Sequence, residues 1–136
     1  MGDLMHKLIL MLLLVVASNN AIAEWVWVGT SSNNESFTIY ADLSSIRKNG
    51  NKVKMWSLND LKIAAYNPSG KPHLSITAQD EYDCKEEQRR PLAYFLHSGN
   101  MREGDVVYSN SDPEKWKSIP PESGTKALWK LACGVK

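Results

Sequence analysis

The chain holds two cysteines, Cys84 in the stretch EYDCKEEQRR and Cys133 in LACGVK near the C-terminus. Three kinds of chemistry use such a pair: thiolate ligation of a metal, attack by an activated thiol, and a structural disulfide. A zinc site favours C-x-x-C spacing or clustered histidines. Neither cysteine has such neighbours, and His73 and His97 stand alone. A catalytic thiol needs a cysteine left unpaired and activated. The choice turns on the redox compartment, and the N-terminus speaks to that.

MGDLMHK carries little charge beyond Asp3 and Lys7, and an unbroken apolar run follows from Leu8 to Ala17. The step SNN and the small-x-small triplet Ala21–Ala23 complete the pattern of a secretory signal peptide over residues 1–23, with one mature domain over 24–136. The run is shorter than the roughly 20 apolar residues a membrane-spanning helix needs. Met5 is an alternative start that would leave MHK as a cleaner basic n-region. Gly2 does not fit a myristoylation pattern, because His6 stands where Ser or Thr is required. No cysteine follows the cleavage site, so no bacterial lipid anchor is expected. Export places the thiols in an oxidising compartment, where an even count means pairing. Cys84–Cys133 is therefore predicted to be a disulfide. Closing a loop of that length stabilises by roughly 4 kcal/mol in the chain-entropy picture.

The other groups able to do chemistry are sparse. Asp42 and Arg47 are spaced for a local ion pair or turn cap. Glu81 and Asp83 alternate with Tyr82 and share a strand face; they lack the surrounding oxygen ligands of a calcium loop, and a solvated face is expected. KEEQRR, residues 85–90, reads as a solvated loop tip of mixed charge. Arg89 and Arg90 are its candidate binding residues, since arginine is enriched at interfaces. His73 and His97 lie beside loops and are expected at the surface. There is no nucleophile elbow, no phosphate loop and no zinc signature. No catalytic residue, cofactor or metal is assigned. The net charge of +1 gives no bulk attraction to nucleic acid or anionic lipid. The five tryptophans serve either a small core or a contact surface.

These residues must be positioned by strands. EWVWVGT and the alternating SFTIYAD read as two strands, Asn49-Gly50 as a hairpin turn, and residues 52–66 as a third strand. NPSGKP is a loop. Residues 73–88 alternate again, RRPLAYFLHSG and GDVVYSNS form two more strands, and Asn100 to Gly104 turns between them. Pro120-Pro121 and Glu122 announce a helix through Leu128, Leu131 and Ala132, which stops at Cys133-Gly134. The prediction is an α+β, mostly β domain. A single antiparallel sheet of about six strands carries one C-terminal helix, tied to a central strand by the disulfide.

The succession W-V-x-V-G, I-Y-A-D-x-x-S-I-R-x-x-G, V-x-M-W-S-L-x-D, E-Y-D-C, G-D-V-V, W-x-x-I-P-P-x-S and C-G resembles the surface-adhesin protein E family over nearly the whole mature chain. The resemblance implies a single sheet with the C-terminal helix held against it, and an envelope protein with adhesin activity toward host matrix and serum proteins. The lipid anchor of the adhesin has no counterpart here. The product is expected in the periplasm, at the cell surface or released, with no stable membrane anchor after cleavage.

Two classes follow. The first is a non-catalytic binding module whose protein partner is an extracellular-matrix or envelope protein, or a second copy paired through a sheet edge. The second is a small periplasmic ligand carrier or enzyme, which would need a pocket gathering carboxylates or histidines with shifted pKa.

Overall fold

The computed structural model describes residues 23–31 and 36–135. The segment read as a leader lies outside them up to residue 22. Strands β1 (Trp25–Ser31), β2 (Phe37–Asn49), β3 (Lys52–Tyr66), β4 (Pro72–Asp83), β5 (Gln88–His97) and β6 (Val106–Asn110) pair antiparallel in chain order. The two-residue β7 (Lys117–Ser118) joins the outer side of β5 beyond β6, and helix α1 (Gly124–Cys133) closes the chain. The sheet thus has seven strands, one of them minimal.

Local chemistry explains the turns. Gly50 takes φ 63 in the tight β2–β3 hairpin, a value glycine adopts without steric cost. In the β3–β4 loop the Asn67 side chain accepts from Lys71 N at 2.8 Å. Asp83 Oδ1 accepts from Lys85 N and Glu86 N, which turns β4 into β5. Pro91 sits inside β5, where it can donate no ladder bond. The register shifts beside it, between Gln79 and Asp80 on the partner strand.

Helix α1 begins later than Pro120-Pro121 and Glu122 suggest. Ser123 is the N-cap and accepts from Lys126 N at 3.1 Å, so Glu122 precedes the helix. The stop is as expected: Gly134 is left-handed, and the amides of Gly134 and Val135 return to Leu131 and Lys130.

Cross-strand register fixes the two faces of the sheet. Val53, Tyr82 and Arg89 fall in one row, as do Ala41, Ser57, Ala78 and Tyr94. This face receives the helix. Ile39, Ala41, Val53, Met55 and Tyr82 pack against Leu128, Trp129, Ala132 and Ile119 as the core. The opposite face carries the rows of Tyr40, Leu58, Thr77 and Phe95, and of Trp25, Asp42, Trp56 and Gln79.

Candidate functional site

Cys84 follows the last residue of β4, and Cys133 is the last residue of α1. They form the predicted disulfide, with Cα atoms 5.6 Å apart. Beside it the Trp129 indole donates to the Asp83 carbonyl at 2.9 Å. Lys126 Nζ reaches Glu87 at 2.8 Å and lies over the Trp129 ring. All three ties hold the helix near the turn that follows β4.

The N-terminal half of the helix stands over a cavity of about 710 Å³. The floor is made by Ser57, Ala78, Asp80 and Tyr82 of the central strands, and the roof by the first turns of α1 from Ser123. Asp80 is buried and pairs with Arg89 at 3.2 Å. Burial pushes its carboxyl above the usual carboxylate range, against the pull of Arg89. Tyr82 is 0% exposed, and its hydroxyl has no hydrogen-bond partner. Burial and the neighbouring Asp80 push that phenol far above its ordinary range.

The opposite face holds a smaller groove of about 350 Å³, lined mainly by Trp25, Trp56, Phe95 and Val106. Trp56 and Phe95 lie with ring centroids 6.0 Å apart. His97 borders the groove, and its Nε2 meets Thr77 Oγ1 at 2.9 Å. Burial, then the Arg102 charge, lowers its pKa.

The candidate pair Arg89 and Arg90 is split by the alternation of β5. Arg89 turns to the helix face and the cavity, while Arg90 binds Glu81 at 2.7 Å and lies 5.2 Å from the Trp116 ring. Asp42 caps its own turn, accepting from Ser44 N and Oγ, while Arg47 donates to the carbonyls of Ser44 and Ile46.

Three sequence expectations are corrected. His73 and His97 are buried, because the residues after β5 fold back over β3 and β4. Asn100 there donates to Leu61 O, and Arg102 N donates to Ser75 Oγ. Glu81 is buried under Arg90, and Asp83 is half-buried as a turn cap, so they are no solvated pair. Gln88, Arg89 and Arg90 belong to β5, which leaves Lys85–Glu87 as the tip. The cavity residues Asp80 and Tyr82 occupy the other phase of the same alternation and were missed.

The tryptophans divide between the two roles. Trp129 is core, Trp25, Trp56 and Trp116 are half-buried, and Trp27 is 62% exposed. The one hydroxyl found beside an imidazole among the described residues, Thr77 Oγ1 at His97 Nε2, is buried. The cavity offers hydrogen-bond donors and acceptors for binding. The groove and the sheet edges offer apolar contact.

Residues 25–134 match the model of the family described as Surface-adhesin protein E. The chain belongs to this family. It is also similar in fold to solved structures of Haemophilus influenzae protein E. One has 14% sequence identity and a TM-score of 0.58, covering 79% of this chain and 83% of that one. A second crystal form gives 13% identity and a TM-score of 0.59 over 79% and 87% of the two chains. The protein from a non-typeable Haemophilus influenzae gives 13% and 0.55 over 84% and 79%. Identity this low speaks for the fold alone. No curated protein matches the chain in sequence. Among the described residues, no helix is long and apolar enough to cross a membrane.

Proposed function

We propose that the chain is an exported, non-catalytic envelope or surface protein whose domain, residues 24–136, works by adhesin-like protein–protein contact. Membership of an adhesin family supports the class of activity. The observation that carries the reading is the edge strand β1, which among the described residues pairs only with β2, and on which Trp27 is 62% exposed and Val26 lies exposed beside it. An unpaired strand edge bearing an aromatic side chain is a template for strand addition and a natural contact anchor. The β3–β4 hairpin adds Ile63, 72% exposed, and Tyr66, 70% exposed. Arg90, held over Trp116 on the face away from the helix, is a candidate polar contact near the opposite edge.

The partner is an extracellular-matrix or envelope protein. The test has two arms. Protease treatment of intact cells locates the mature protein. Binding of the purified domain to immobilised matrix proteins is then measured with and without Trp27→Ser. Surface exposure with binding lost in the variant supports the reading. Protection inside the envelope excludes host adhesion, and edge-to-edge self-association seen by sedimentation would replace the foreign partner with a second copy.

The cavity under α1 supports a second reading, in which the same domain holds a small molecule. A space of about 710 Å³ lies within the roughly 300–1,000 Å³ typical of ligand sites.

A further inference from the structure

We propose that the cavity between the first turns of α1 and the sheet binds a neutral polyhydroxylated molecule of mono- or disaccharide size. This inference rests on the second reading above and names its ligand class.

The charge around the cavity excludes most alternatives. Among the described residues, Asp80, Glu114 and Glu122 line it against the single cation Arg89. That acidic excess repels phosphates, carboxylates and nucleotides. At the helix N-terminus the Ser123 hydroxyl occupies the Lys126 amide, one of the first-turn donors. A cationic amine meets an opposite obstacle. The Arg89 guanidinium beside the buried carboxylate repels it, and Glu114 is paired with Lys117 at 3.2 Å.

A hydroxyl both donates and accepts, and so it can use a floor on which the two kinds of group stand side by side. Asp80 supplies acceptor oxygens, and Arg89, only partly committed to it, supplies planar donors. Ser57 and Asn59 stand on the next strand in the same wall. The Tyr82 hydroxyl is the independent sign of a missing guest. Tyr82 lines the cavity, and its hydroxyl lies fully buried without a partner, which leaves its desolvation uncompensated. That hydroxyl has almost no accessible surface in this structure, so a polar ligand supplies its partner as the ring shifts toward the cavity. The rings of Tyr94 and Phe37 border the same space and offer apolar surface to the C–H face of a sugar.

The experiment is titration of the oxidised mature domain with glucose, galactose, N-acetylglucosamine and maltose, read by calorimetry and by amide chemical shifts. Inorganic phosphate, acetate and putrescine are run alongside. The expected result is saturable binding of at least one sugar, with shifts at Ser57, Asp80, Tyr82 and Arg89. Tyr82→Phe removes only the unpartnered hydroxyl, so the variant folds with unchanged or raised Tm. It should weaken the sugar about five- to tenfold, the worth of one buried hydrogen bond. Arg89→Met tests the donor side independently and should weaken it at least as much. Sugar affinity unchanged in both variants overturns the site. Binding of phosphate, acetate or putrescine at these residues in place of sugars overturns the ligand class while the second reading stands. No shift at these residues with any probe overturns both.

Discussion

The two ends of helix α1 are held in different ways. The C-terminal half carries the disulfide and the Trp129 bond to the Asp83 carbonyl. The N-terminal end carries the part-exposed Lys126–Glu87 ion pair and one close approach, where Gly124 lies so near Ile39 that any Cβ at that position would collide with its Cδ1. Beyond that contact it spans a cavity. The difference teaches that the helix is a clamped arm rather than a layer packed along its whole length. Its stability is concentrated at the clamp, and the free end is left to cover space.

The largest test breaks the clamp. Replacing Cys84 and Cys133 together by serine should cost roughly 4 kcal/mol of stability, seen in chemical denaturation. Cleavage by trypsin after Lys126 and Lys130 should follow at temperatures the parent survives. A helix that stays protected would mean the packing of Leu128, Trp129 and Ala132 holds it alone.

Next comes Trp129→Phe, which removes the indole N–H and leaves the Asp83 carbonyl unpaired. About 1–2 kcal/mol should be lost, with amide exchange rising at the C-terminal turns of α1.

A smaller effect is expected at the free end. Ser123→Ala removes the N-cap and should cost about 1 kcal/mol. Exchange should then rise only in the first turn. Equal rises at both ends would show the helix to be one cooperative unit, and the comparison would fail.

The smallest effect is a pH dependence beneath the free end. Burial raises the Asp80 carboxyl above its ordinary 3.8, opposed first by Arg89 and with lesser influence from Glu114 and Lys117. The folded state therefore binds this proton more tightly than the unfolded chain does. The Asp80 contribution is most favourable below pH 3.8 and declines as pH rises from there through the raised value. The stability of the parent minus that of Asp80→Asn should fall across that window. A difference that rises instead would mean that Arg89 outweighs burial.

Much of this arrangement was legible because it is local. Asn49-Gly50 and the NPSG loop mark hairpins by backbone chemistry, and alternation in β2 to β4 marks strands. Cys133-Gly134 ends a helix, and two cysteines in an oxidising compartment have one way to pair. What was not legible depends on contacts distant in sequence. His97 reads as a loop-side histidine, because nothing within its own strand says that residues 98–105 fold back beside it. The cavity was hidden for a subtler reason. Around Tyr82 both phases of the strand carry carboxylates, Asp80 on one and Glu81 with Asp83 on the other. Polarity therefore does not say which phase meets the helix. Only the docking of Trp129 and Leu128 decides it, and with it which arginine of the 89–90 pair enters the cavity.

The chain-order pairing of β1 to β6 bears on how the molecule is made. Each strand finds its partner in the segment just before it, so a chain emerging N-terminus first can zip up its sheet as it arrives. The minimal β7, which returns past β6 to β5, and then the helix must reach back, and the helix's cysteine comes after both. With two cysteines in the sequence, no wrong intramolecular bridge can form on the way. Maturation therefore calls for an oxidant and makes no demand on an isomerase, and the closing of that single bond marks the moment the domain is complete.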